Sequence, residues 1–367
     1  MKYLFIVQGE GRGHMTQAMT LEKMLLRNGH EVVGIMVGTS ATRKIPEFFL
    51  RSVSADVMEY TSMNFRPSHR NRKPNMFGTV LYNIFAFVRY FPSIRRIRRQ
   101  ILSSGADVVV NFYELLVGLT YMGHRLRVPC VSIGHQYLFL HRDFGIPLGK
   151  YPGHEGLNIL SRINSYGSKK LLALSFNRMP DDMDRRIRVV PPLLRTEVLS
   201  LRNPDGSPGS GMSDGDYILG YMLNSGFSED VLEWHARHPE ISLKFFWDRW
   251  SEGQVKKIDD TLSFYLIDDR EFLKQMAGCR AYASTAGFES VCEAMYLGKP
   301  ILMVPSHIEQ EINAFDAKRN GAGISAKKFD LSALLDFAEN FMPNNEFVSW
   351  VQSSESLILK ELTEGLL

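Results

Sequence analysis

Residues 284–314, STAGFESVCEAMYLGKPILMVPSHIEQEINA, decide how this chain is understood. They follow an apolar segment, and Gly287 opens a helix-like run through Met295 that stops at Gly298-Lys299-Pro300. An apolar strand over 301–304 comes next, then Pro305, the acid–amide pair Glu309-Gln310, and Asn313. This order suits a diphosphate ligand. A turn of small residues, Thr285-Ala286-Gly287, lets the backbone approach phosphates, and a helix beginning near Phe288 aims its free N–H groups at them. Glu293 then falls one to two turns along that helix, within reach of a sugar hydroxyl. Glu309 and Gln310 follow the next strand, where an open α/β sheet places its ligand.

Outward from this motif, apolar runs of strand length alternate with helical patterns along the whole chain. In the C-terminal half the expected strands are 217–221, 243–247, 264–267, 281–283 and 301–304, with a helical pattern at 270–277. In the N-terminal half they are 3–7, 31–37, 107–111, 130–133, 171–174 and 187–190, with crossover helices at 16–27 and 115–125. Between the halves lies NPDGSPGSGMSDGD, residues 203–216, too rich in Gly, Pro, Ser and Asp to form a core. The expected organisation is therefore a domain over 1–200, a linker over 201–216, a second domain over 217–345, and a C-terminal helical stretch over 346–367, which the resemblance described below implies packs back on the first. A chain of 367 residues is long enough for two cores. Its formal net charge of +3 gives only a weak overall field. Cys130, Cys279 and Cys292 sit singly in apolar surroundings and read as buried free thiols.

Residues 8–14, QGEGRGH, follow the first strand and open the first helix. A dinucleotide site fails here on two counts. His14 occupies the last glycine position of that fingerprint, and Met36-Val37-Gly38-Thr39 ends the second strand without an acid for a ribose.

The motif at 284–314 resembles the nucleotide-sugar signature of GT-B glycosyltransferases, both the small-molecule UDP-glycosyltransferases and the peptidoglycan N-acetylglucosaminyltransferase. Gly287, Glu293 eight residues after Thr285, the Gly-Lys-Pro turn and the Glu309-Gln310 ending with Asn313-Ala314 all fall at family spacing. Two positions depart from the small-molecule branch: Thr285 stands where histidine is frequent, and Phe288 where tryptophan is. The resemblance implies an α/β chain of GT-B type, two Rossmann-like domains with a cleft between them. It also implies a nucleotide-diphosphate sugar as co-substrate, UDP-linked, with no other cofactor and no metal, and inverting transfer to an acceptor hydroxyl. A sugar-nucleotide epimerase of the same fold and a non-catalytic nucleotide-sugar-binding partner are the competing classes.

Carried onto this sequence, the resemblance puts Thr285, Ala286, Gly287, Phe288, Glu289, Glu293, Glu309 and Gln310 at the donor. Asn224 and Ser225 join them in the first donor-domain loop, and Ile267 at the nucleobase edge. A plain strand–helix turn at 224–226 and core packing of Phe264 and Tyr265 fit the same residues. His14 is implied as the base that deprotonates the acceptor, with Gly11 and Gly13 on the acceptor side; a capping histidine, or one that only contacts substrate, is the alternative. Imidazole titrates near neutrality, and a helix start disfavours an added positive charge, which keeps the ring neutral. Glu114 is implied as its orienting carboxylate, although Asn111 stands where the family more usually has aspartate; a helix-capping glutamate is the alternative. His135-Gln136 resembles a His-Glu-Gln element and serves either acceptor binding or loop positioning.

Residues 61–104 carry nine Arg or Lys and no acid, and include MFGTVLYNIFAFVRYF at 76–91. A basic segment beside apolar aromatics is a surface for an anionic membrane or for a lipid-linked or anionic acceptor; a core helix followed by a solvated cationic helix is the alternative. No nucleic-acid recognition module matches. Asp182-Met183-Asp184 has metal-site spacing but is flanked by arginines and reads as a solvated turn. The first strand is too short for a signal-peptide core and no apolar run reaches membrane-spanning length, so the expected location is cytoplasmic, peripheral at the inner membrane face if 61–104 docks.

Overall fold

The computed structural model describes residues 1–9, 11–40, 44–63, 87–147, 149–209, 211–212, 215–222 and 224–366. Much of the basic segment flagged above, 64–86, lies outside the described residues. The chain forms two compact units: one begins at Met1, ends at Arg195 and takes in Trp350–Leu367, and the other is built on Thr196–Ser349.

The first unit holds a seven-stranded parallel sheet in the order β3-β2-β1-β4-β5-β6-β7. Its strands are β1 (Lys2–Gln8), β2 (Glu31–Thr39), β3 (Val57–Thr61), β4 (Val108–Phe112), β5 (Cys130–Gly134), β6 (Ser168–Leu174) and β7 (Ile187–Val190). Inner strands such as VVVNF in β4 are buried on both faces, which is why they read as continuous apolar runs instead of alternating ones. The second unit repeats the plan in the order β10-β11-β9-β8-β12-β13-β14. Here β8 is Ile218–Tyr221, β9 Leu243–Trp247, β10 Val255–Lys257, β11 Leu262–Leu266, β12 Ala281–Ser284, β13 Ile301–Met303 and β14 Gly323–Ser325. Only β10 runs antiparallel to its neighbour.

In each sheet the winding reverses beside the first strand. In the first unit this lies between β1 and β4, and in the second between β8 and β12. The loops leaving those strands are where a doubly wound sheet binds ligands.

Three strands were not expected from the sequence. β3, β10 and β14 lie at sheet edges or next to them, are short, and interleave polar residues, so they lack the apolar run that marks a buried strand. The first helix, Gly13–Arg27, starts three residues earlier than the 16–27 pattern and so includes His14. The C-terminal stretch is two helices, Asn345–Gln352 and Ser354–Thr363. The latter lies on the first unit: Tyr3 Oη donates to the Leu362 carbonyl (3.1 Å) and Lys170 pairs with Glu361 (2.8 Å). Among the described residues no helix is long and apolar enough to cross a membrane. Cys130, Cys279 and Cys292 are free and buried.

Candidate active site

His14 is the second residue of helix Gly13–Arg27, whose first turn carries no acid to offset the positive end of the helix dipole. Gly11, just before it, has φ +99°, a conformation that L side chains avoid. The imidazole is half-buried and stacks on Tyr113, with centroids 5.6 Å apart and planes inclined by 19°. Nδ1 lies 3.2 Å from Gln17 Oε1, an acceptor, so the neutral ring carries its proton on Nδ1 and leaves the lone pair on Nε2. Burial pushes this histidine down to about 4, against a smaller upward pull from Gln17. The ring is therefore neutral at physiological pH.

Glu114 caps the helix that follows β4. Its backbone is the N-cap of helix Leu115–Gly123, and its carboxylate accepts from Leu116 N–H (3.1 Å) and Ser62 Oγ (2.7 Å). It also lies beside the buried Tyr60 hydroxyl and adds to the rise that burial imposes on it. The capping alternative is thus the one realised, because the left-handed turn at Tyr113 (φ 57°) aims residue 114 back at its own helix start. Asn111, at the expected aspartate position, is buried and donates to the Asn164 carbonyl (2.9 Å) while accepting from Glu114 N–H (2.8 Å). Gly38, near the end of β2, faces this carboxylate: a Cβ there would stand 2.7 Å from Glu114 Oε2.

His135 and Gln136 are both buried. His135 Nδ1–H donates to the Leu174 carbonyl (2.7 Å), and the ring packs edgewise on Phe139 and Phe176. Of the two expected roles, this geometry is that of loop positioning.

In the second unit the motif forms one connected piece around the end of β12. Ala286 adopts φ 60°, one of the few non-glycine residues in left-handed conformation, and Gly287 is the N-cap of helix Phe288–Tyr296. Ser284 Oγ accepts from Ala286 N–H (3.1 Å), and Asn313 Nδ2 donates to the Ala286 carbonyl (3.3 Å). These two bonds hold the turn open in front of the helix. Thr285, Ala286 and Glu293 are fully or almost fully buried, and Phe288 and Glu289 nearly so. Glu289 and Glu293 share a helix face with i,i+4 spacing. With Asp316 of helix Ile308–Arg319 they surround Cys292, whose thiol is pushed well up by burial first and by those carboxylates second. Asp316 itself is raised to about 6 by burial, with Arg319 and Asn320 pulling the other way.

Glu309 is half-buried on the first turn of helix Ile308–Arg319. Gln310 is turned inward, and its Oε1 accepts from Ser306 N–H (2.9 Å) and Ser306 Oγ (2.7 Å). It shapes the loop after β13. Burial pushes His307, the N-cap of that helix, down to about 4. Asn224 caps the turn Ser225–Phe227 by accepting from Gly226 N–H (2.7 Å), the plain strand–helix turn that the residues allowed. Ile267 is half-buried between β11 and the helix Asp269–Gly278. Phe264 is core, stacked on Trp247 at 4.4 Å.

Gln17, Tyr113, Ser62 and Asn313 are the contributors that the site assignments omitted. Gln17 carried a signal, since it lies one helical turn after His14. Asp182 differs from its solvated reading: it is buried and held by Arg142 and Arg185, each at 2.8 Å.

Two doubly wound units, each with a helix start presented at its switch point, make up the GT-B fold. The chain belongs to glycosyl transferase family 1, whose family model matches residues 1–342. The glycotransferase of kitacinnamycin is similar over 100% of this chain and 99% of its own, with TM-score 0.65 and 15% identity. Arabidopsis thaliana UGT89C1, complexed with UDP-L-rhamnose, is similar over 100% and 99%, with TM-score 0.61 and 15% identity. SnogD from Streptomyces nogalater is similar over 98% and 99%, with TM-score 0.54 and 16% identity. At these identities the likeness defines the fold. A comparison with curated protein sequences finds no match.

Proposed function

We propose that this glycosyltransferase moves a sugar from a UDP-linked donor to an acceptor hydroxyl with inversion. The observation that carries the proposal is the turn Ser284-Thr285-Ala286-Gly287, held by Ser284 and Asn313 directly before the free N–H groups of helix Phe288–Tyr296. A diphosphate seated there meets the positive end of the helix, and Glu293 offers a carboxylate to a sugar hydroxyl. The UDP-L-rhamnose bound by UGT89C1, a protein of the same fold, supports the base, and the quercetin complex of that protein supports a hydroxyl acceptor.

In this account His14 Nε2 takes the acceptor proton while the hydroxyl oxygen attacks the anomeric carbon. The bond from that carbon to the diphosphate breaks, and its electrons leave with UDP. Charge grows on the leaving diphosphate as this happens, and the helix N–H groups stabilise it without requiring a metal. Cationic residues of the first unit, on helix Phe91–Ser103, support an anionic or lipid-linked acceptor.

The test is product analysis with UDP-sugars and a panel of hydroxyl acceptors. Formation of a glycoside with stereochemistry opposite to the donor supports the proposal. Conversion of the donor sugar with no acceptor present identifies an epimerase, and UDP binding without turnover identifies a non-catalytic binder.

A further inference from the structure

Helices Phe91–Ser103 and Leu115–Gly123 pack against one another in the first unit. The former buries Ile94, Ile97 and Ile101 at i, i+3 and i+7, so its remaining faces point outward. A groove of about 830 Å³ opens between the two helices. Its lining combines two kinds of side chain that rarely share an exposed surface. Arg95, Arg98 and Arg99 line it as exposed cations, with His124 at the end of the second helix. Phe91, Leu102 and Met122 line it too, and are 46%, 56% and 49% exposed. Val88, one turn before Phe91, is 73% exposed.

The charge is uncompensated. Among the described residues none of these arginines has an ion-pair partner, and residues 61–104 contain no Asp or Glu. Exposed Arg96, Arg125 and Arg127 add to the same sign. A surface that is cationic and at once apolar is complementary to an anionic bilayer, whose phosphates lie directly above an apolar layer. Nucleic acid or an acidic protein would satisfy the arginines but leave the leucine and methionine without a role.

We infer that this groove docks the chain on an anionic phospholipid membrane. The arginines pair with lipid phosphates, while Phe91, Leu102 and Met122 enter the boundary between headgroups and acyl chains. The same arginines are those proposed to favour an anionic or lipid-linked acceptor, but docking on a bilayer needs no donor, so the inference does not depend on the donor's identity.

The full chain is sedimented with vesicles of phosphatidylcholine alone, or with roughly a third phosphatidylglycerol, at low salt, where surface charge is least screened. The expected result is binding to the anionic vesicles only. Partitioning falls about tenfold or more both in the Arg95→Glu, Arg98→Glu, Arg99→Glu triple variant and in the Leu102→Ser, Met122→Ser double variant. Thermal melting confirms that both sets of exposed substitutions leave the fold intact. Absence of wild-type binding overturns the inference. So does unchanged partitioning of the Leu102→Ser, Met122→Ser variant, which would mark a purely electrostatic surface.

Discussion

The imidazole of His14 lies on the ring of Tyr113, with centroids 5.6 Å apart and planes 19° from parallel. Tyr113 reaches that place only by adopting φ 57°, a conformation that costs about 1 kcal/mol or more for a bulky residue. Ala286 occupies the corresponding position after β12, also left-handed and also directly before a helix N-cap. Each unit thus turns its chain sharply beside the switch point, and the turn of the first unit places Tyr113 against the His14 ring.

Tyr113→Ala is expected to lower kcat about tenfold or more while leaving UDP affinity unchanged, because the ring that fixes the imidazole is gone. Tyr113→Phe keeps the stack and loses the 2.7 Å hydrogen bond to Ser161, so its rate holds and its stability falls by about 1 kcal/mol. Steady-state kinetics and melting curves of the two variants separate these effects.

Gln17 bonds His14, and Glu114 caps helix Leu115–Gly123. Gln17→Leu should therefore depress kcat, since nothing then fixes the proton on Nδ1. Glu114→Gln should act on folding, weakening the cap of helix Leu115–Gly123 by about 1 kcal/mol and lowering Tm with little change in the pH–rate profile. A rate loss in Glu114→Gln with unchanged Tm would reverse this assignment.

The lowered titration of His14 has a definite pH signature. A rate that needs the neutral ring stays level as pH falls through 6 and drops only towards about 4, the value to which burial pushes it. Stability follows the same group. The unfolded chain takes up the proton near 6.5 and the folded chain only near 4, so stability linked to His14 is full above about 6.5 and is lost as pH falls towards about 4. His307, also held at about 4, adds a loss in the same window. Melting curves between these limits should show a smaller pH-dependence in His14→Asn than in the wild type.

Two glycines test the packing under the site. A Cβ at Gly9 would stand 1.9 Å from the Gly38 carbonyl oxygen, which is backbone and cannot move aside. Gly9→Ala is expected to cost more than about 2 kcal/mol. Gly156, inside helix His154–Asn164 with open space around it, should instead gain about 0.5–1 kcal/mol on replacement by alanine. Denaturant titration of both variants checks the contrast.

Strands such as 187–190 and 243–247 were legible in the sequence to the residue, because all but one side chain in each, Arg188 and Lys244, is apolar and buried. The motif at 284–314 was legible because its chemistry is local: a small-residue turn, a helix start and a glutamate on that helix. Edge strands such as Val255–Lys257 were not, since pairing at an edge demands little of side chains. Capping by Glu114 was one of two readings open in the sequence, which could not choose between them because the left-handed conformation of Tyr113 is announced by no local pattern. Asp182 looked solvated for a similar reason: its burial comes from Arg142, forty residues away in sequence.

The account rests on a UDP-sugar site at the start of helix Phe288–Tyr296, and a thermal-shift panel of UDP, dTDP, GDP, NAD and ATP tests it most directly. A ligand that binds only the folded chain raises its stability by RT ln(1 + [L]/Kd). Stabilisation by UDP or dTDP, lost or strongly reduced in Glu293→Ala, is the predicted result. Stabilisation by NAD alone, by none of the five, or by UDP equally in Glu293→Ala would contradict it.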